Sequence, residues 1–393
     1  MAALKASNRL GIVSALGTAQ TIAWASSYYL PAVLATPMAA SLGVSPVWVF
    51  AGFSAALVMS ALTGPWAGAR IDRLGGRGVL AASNVIFAAG LGLLAAAQSV
   101  EMMFVGWIVI GLGMGAGLYE AAFATLTGIH GAEARSPITG ITLIAGFAST
   151  VGWPLSALLE ANYDWRMACL VWAGLHLLVA LPLNAILPVG TQSAPARERP
   201  KEKAAAAPPN PMAMALLAFV FAVTLFCSTA MAAHLPRLLE AAGATTAVAV
   251  AAGALIGPAQ VVARVAEFGL LRKVHPLMSA RIAAIGHPMA AVALMLIGAP
   301  AAYAFTLLHG AGNGILTIAK GTLPLALFGP AGYGFRQGLL NAPARIMQAL
   351  APLLFGYALE RFGAQAVWLT GGLGFSALIA LLLLQTKRTS NTQ

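Results

Sequence analysis

Residues 190–211 read GTQSAPARERPKEKAAAAPPNP, the one long polar and Pro/Ala-rich stretch in a chain of 393 residues. Outward from it in both directions the sequence turns apolar. A helix needs about 20 apolar residues to cross the hydrocarbon core of a bilayer. Six such runs precede the stretch, at 10–37, 46–68, 78–98, 102–126, 138–159 and 167–189. Six more follow it, at 211–235, 244–270, 279–298, 301–328, 335–358 and 364–385. None shows the sustained alternation of a membrane barrel strand. The fold class expected is therefore an all-α membrane protein of twelve transmembrane helices. Its halves are an N-terminal six-helix bundle over 1–189 and a C-terminal one over 211–393, joined by a cytoplasmic linker at 190–210.

Composition excludes the other broad classes. Lys and Arg number 22 and Asp and Glu 11, so charged residues make up 8% of the chain against 60% hydrophobic, and the mean hydropathy is +0.84. A soluble surface cannot be tiled from so few polar groups, and a chain this apolar does not stay disordered. The net charge of +11 does not mark a nucleic-acid binder, because the basic residues follow the loops of a membrane protein. With both termini and the linker placed inside, sixteen basic residues lie on the inner side, and only Arg166, Arg237 and Arg361 lie on the outer. That bias predicts a multi-pass protein of the bacterial inner membrane with cytoplasmic termini. The first run, after Lys5 and Arg9, is long enough to span and is taken as a retained helix. Cys169 and Cys227 sit far apart in apolar runs, with the spacing of neither a disulfide framework nor a zinc site.

The halves echo each other. Gly111, Gly113, Gly115 and Gly117 precede Glu120 in the fourth run, as Gly310, Gly312 and Gly314 precede Lys320 in the tenth; Pro154 and Glu160 in the fifth match Pro352 and Glu360 in the eleventh. An internal duplication of this kind is common in secondary transporters. The glycine series has a loose dinucleotide-like pattern, but no strand precedes it and a packing seam is expected. Gly146–Pro154 (GFASTVGWP) faintly resembles the glycine-proline motif of drug/proton antiporters, with Trp153 interrupting it.

Between the second and third runs, Gly64-Pro65 leads into Gly68-Ala-Arg-Ile-Asp72-Arg73-Leu-Gly75-Gly76-Arg77. Asp72 suits a cap or ion pair at a helix end, and Arg73 and Arg77 suit an inner leaflet. This segment resembles the signature loop of the major facilitator superfamily, G-x-x-x-D-R-x-G-R-R, with Gly76 where a base is usual. The resemblance implies two pseudo-symmetric six-helix bundles around a cavity that opens alternately to each side. It also implies that Asp72, Arg73 and Arg77 form a conformational latch. The second copy, after the eighth run, is degraded, with Leu271 in place of the aspartate. What survives is Arg264, which is similar to the eighth-helix arginine of the monocarboxylate porter and oxalate/formate antiporter branch. In that branch this arginine contacts a substrate carboxylate. The acidic-glycine-aromatic signature of the animal carriers is absent from the first run.

Four principal ionisable residues fall inside runs: Glu120, Arg264, Lys320 and Arg345. Each costs about 2.5–3.5 kcal/mol at a helix centre, so each calls for a reason. The resemblance places the fourth and tenth helices on the cavity. Three cations against one acid would draw in anions, and Arg grips carboxylates bidentately. The alternative is structural: Glu120 neutralising Lys320, with Arg264 and Arg345 snorkelling to headgroups. Tyr28, Tyr119 and Asn313 are added as substrate-binding residues, Glu120 as a proton-coupling site, and His309 as a satisfied bundle residue. The expected function is secondary transport of a small organic anion, a carboxylate above all, with no bond made or broken. Export of a drug, or uptake of a neutral heterocyclic nutrient, is the rival. No cofactor or metal is called for. The partners expected are a small-molecule substrate and the lipid bilayer, with no nucleic acid, and the protein is expected to be a monomer.

Overall fold

The structure, a computed structural model, describes residues 4–189, 210–271 and 274–384. Apart from Asn210, the expected linker lies outside the described residues, as do the inner-side basic residues Arg197, Arg199, Lys201, Lys203, Arg272, Lys273, Lys387 and Arg388. Among the described residues all regular structure is helical, as a chain without water around it must be to pair its own N–H and C=O groups.

Each of the twelve apolar runs falls on helix, and several are broken. The first holds α1 (Arg9–Ala25) and α2 (Pro31–Leu42). Ser26 and Ser27 turn their hydroxyls back to the Ala23 carbonyl, and Pro31, which has no N–H to give, starts the new helix. The second and third runs are α3 (Pro46–Leu74) and α4 (Gly76–Ala96), hinged at Gly75, whose φ of 80° suits only glycine. The fourth divides into α5 (Val100–Gly117) and α6 (Tyr119–His130), the fifth into α7 (Arg135–Ala145) and α8 (Ala148–Asn162). In the sixth, α9 (Trp165–Leu175) and α10 (Leu181–Ala185) flank a π-helical turn at His176–Ala180. Then come α11 (Pro211–Ala241), α12 (Thr246–Ala254), α13 (Ile256–Ala266), α14 (Pro276–Ile297), α15 (Ala302–Phe328), α16 (Tyr333–Phe362) and α17 (Val367–Leu383). Among the described residues eight stretches are long and apolar enough to cross a membrane; four of these, Val100–Asn162, Trp165–Ala185, Thr246–Leu270 and Tyr333–Leu383, each run through more than one helix.

The chain forms two compact units. The first takes the residues before the linker together with 330–350; the second takes those up to 329 and those from 351. Thus α16 has its N-terminal part in the first unit and its C-terminal part in the second.

Within the first unit, α5 packs against α3 and α4 through its glycines. A methyl group added at Gly115 would lie 2.9 Å from the Ser60 carbonyl oxygen, and one at Gly113 would lie 3.0 Å from the Phe87 ring. Within the second unit, α15 packs against α13 and α14 in the same manner: a methyl at Gly314 would lie 2.6 Å from the Gln260 carbonyl oxygen, and one at Gly312 2.7 Å from that of Ala283. Close backbone approach of this kind is how helices associate where water supplies no hydrophobic drive. Around the first seam Phe87, Leu91, Trp107, Ile110, Met114 and Trp172 form a fully buried apolar core.

Candidate functional site

The break between α5 and α6 builds the site. At Leu118 the backbone turns extended, and the Gly117 carbonyl, free of its helical donor, accepts a 2.6 Å hydrogen bond from the side-chain amide of Gln20 on α1. A buried carbonyl left without such a donor would cost about 1–3 kcal/mol. Restarting at Tyr119 puts Glu120 in the first turn of α6, where the helix dipole favours a carboxylate.

Facing it, α16 carries Gln337, Asn341, Arg345 and Gln348, all 3% exposed or less. Their spacing of four, four and three residues draws one polar stripe along an otherwise apolar helix. Arg345 donates from Nη2 to Glu120 Oε2 at 3.0 Å and from Nη1 to Gln348 Oε1 at 3.0 Å. Its guanidinium carbon lies 5.7 Å from the ring centre of Trp24, close enough for a cation–π contact. Trp24 in turn meets Tyr119 at 4.9 Å and Tyr28 at 5.4 Å, and Tyr119 stacks on Phe123. A small cleft lies here, lined in part by Ser60, Gly115, Glu120, Asn341 and Arg345. The side-chain oxygen of Asn341 and the indole N–H of Trp24 are buried without a hydrogen-bond partner among the described residues.

The signature loop makes a second constellation in the same unit. Asp72, near the end of α3, accepts hydrogen bonds from two backbone N–H groups at the start of α16, Gly334 at 2.8 Å and Phe335 at 2.9 Å. These are first-turn donors with no partner inside their own helix, and the charge of the acceptor strengthens both bonds. Close approach makes this possible: side chains at Gly68 and Gly334 would each run into the other's backbone, and one at Gly338 would meet Pro65. Gly76, the departure from the usual base, has its missing side chain's place taken by Thr125. Arg73 is exposed and Arg77 half-buried; neither is part of the Asp72 contact.

The remaining predicted residues belong to the second unit. Arg264 is 5% exposed and donates to the Gly314 carbonyl at 3.4 Å and to Gln260 at 3.3 Å. Lys320 is buried within α15. Asn313 donates to Ser228 on α11 at 3.0 Å. His309 shares a 2.9 Å hydrogen bond with His287 between their Nδ1 atoms, one donating and the other accepting.

The structure thus brings Glu120, Arg345, Tyr28 and Tyr119 together. Within the first unit Arg345 is a counter-charge to Glu120. Sequence reasoning missed Gln348, Asn341, Gly334 and Gly338. The first two were legible in the polar stripe of α16, and the last two in the repeat Gly334-x-x-x-Gly338, which meets Gly64-x-x-x-Gly68 on α3.

Against known proteins, the family model described as the Major Facilitator Superfamily matches residues 16–307. No curated protein sequence matches the chain. Among solved structures, the human organic anion transporter MFSD10 (TETRAN) is 18% identical with a TM-score of 0.73, over 95% of this chain and 99% of its own. The transporter FucP in its outward conformation is 14% identical with a TM-score of 0.76, over 95% and 99%. The proton:xylose symporter XylE, bound to 6-bromo-6-deoxy-D-glucose, is 15% identical with a TM-score of 0.72, over 96% of each chain. At these identities the likeness is one of fold: twelve membrane helices in two bundles.

Proposed function

Because the chain belongs to the major facilitator superfamily, a family of membrane transporters and not of enzymes, we propose that it carries a small carboxylate across the bacterial inner membrane by alternating access, with both termini in the cytoplasm. The observation that carries this is the buried Arg345–Glu120 pair at 3.0 Å. A second carboxylate on Arg345 beside an ionised Glu120 would leave one buried negative charge uncompensated. The substrate carboxylate takes Arg345 as Glu120 takes up a proton. One positive and one negative charge then remain at the site throughout, which avoids the several kcal/mol that an uncompensated buried charge costs. Each anion thereby enters with one proton on Glu120.

Tyr28 and Tyr119 shape the site, and Lys320, Arg264 and Asn313 are assigned to substrate binding from the second unit. Asp72 serves as the latch: its bonds to the N-terminus of α16 hold one conformation, and their rupture releases it. Arg73 and Arg77 lie at the inner leaflet beside it. The MFSD10 likeness agrees with an anion cargo, while XylE puts a sugar on the same fold, so the cargo class rests on Arg345.

A melting panel on detergent-purified protein tests this. A ligand of the folded state at one hundred times its Kd adds about 2.7 kcal/mol of stability. Small carboxylates are expected to raise the melting temperature of the wild type and to leave Arg345→Gln unmoved. A response confined to uncharged or cationic compounds would refute the anion assignment.

A further inference from the structure

The half-buried aromatic residues beside Arg345 are more than packing. Trp24 lies in the last turn of α1, Tyr28 and Tyr29 follow its end, and their rings run outward from the guanidinium in a connected series. Trp24 lies 5.7 Å from Arg345 and Tyr28 5.4 Å from Trp24; Phe53 lies 5.7 Å from Tyr28, while Tyr29 meets Trp153 at 5.8 Å. Tryptophan and tyrosine in membrane proteins gather at the headgroup level. This group lies instead against a buried ion pair, and the indole N–H of Trp24 has no acceptor among the described residues, although such a group usually finds one when buried. Aromatic faces next to one cation make a site with two demands: a carboxylate for the cation and a flat π-surface for the rings.

We infer that the substrate is a planar aromatic carboxylate, its acid group on Arg345 in place of Glu120 and its ring against Trp24 and Tyr28. This rests on the carboxylate reading above and adds the class of the remainder of the molecule. A saturated acid of the same charge and length meets only the first demand. Offset or edge-to-face ring contacts add about 0.5–1.5 kcal/mol beyond the area they bury.

The test is a titration of purified wild-type protein with benzoate and phenylacetate, against cyclohexanecarboxylate and cyclohexylacetate, with benzamide as the uncharged control. The aromatic acids are expected to bind about tenfold tighter than their saturated partners. Trp24→Leu should bring that ratio to about one, while cyclohexanecarboxylate still binds and Trp24→Phe keeps the preference. Tyr28→Leu, which should lower the ratio in part, serves if Trp24→Leu does not fold. Equal binding of aromatic and saturated acids, or a preference that survives both leucine variants, overturns this inference and leaves the carboxylate reading standing. Failure of every acid to bind, or benzamide binding as well as benzoate, overturns that reading and this inference with it.

Discussion

Aligned on their glycines, α5 and α15 run parallel for three positions and part at the fourth. Gly111, Gly113 and Gly115 correspond to Gly310, Gly312 and Gly314, and in each unit the series closes its helix on two neighbours. The next member is Gly117 in α5 and Leu316 in α15. At that point α5 ends, the Gly117 carbonyl passes to Gln20, and a new helix starts with Glu120 in its first turn. By contrast α15 continues unbroken to Phe328 and carries Lys320 in its interior. One added glycine, with an amide placed to receive the freed carbonyl, converts a packing helix into a helix N-terminus that suits an acid. The same glycine seam can therefore hold charges of opposite sign in the two units.

The comparison can be broken at its charged end first. Glu120→Leu leaves the Arg345 guanidinium buried without its carboxylate, and the expected loss is roughly 3–5 kcal/mol, read as a lower unfolding midpoint in detergent. Gln20→Leu strands the Gly117 carbonyl and should cost about 1–3 kcal/mol. Faster amide hydrogen exchange at Leu118–Ala121 would show that the break has loosened. The smallest effect is expected from Leu316→Gly, which supplies α15 with the missing glycine but no capping amide. It should cost about 1 kcal/mol and leave carboxylate binding unchanged. New exchange at Thr317–Lys320 in that variant would mean that glycine alone suffices to break the helix, and that Gln20 is a consequence of the break.

Much of the architecture was legible because a bilayer permits so few solutions. The apolar runs give an all-helical membrane fold, and the expense of intramembrane charge singles out Glu120 and Arg345. The breaks were not read, although Ser26-Ser27-Tyr28-Tyr29 and Tyr119-Glu120 interrupt their apolar runs. What ends α5 is a tertiary hydrogen bond from Gln20, ninety-seven residues away. That Arg345 reaches Glu120 within the first unit was not read either, for a related reason. Periodicity puts Arg345 on the same face of α16 as Asn341 and Gln348, but it does not say which helix that face meets. Contact between α16 and α3 was available in Gly334-x-x-x-Gly338 and Gly64-x-x-x-Gly68, two small-residue repeats of equal length.

The exchange of carboxylates on Arg345 is open to one direct measurement. Calorimetric titration of a bound aromatic or saturated carboxylate at pH 7, repeated in buffers of different ionisation enthalpy, counts the protons taken up per anion bound. The swap predicts about one proton per anion in the wild type and about none in Glu120→Gln, where the displaced group is already neutral. Carboxylate binding without proton uptake in the wild type, or uptake that persists in Glu120→Gln, would contradict it.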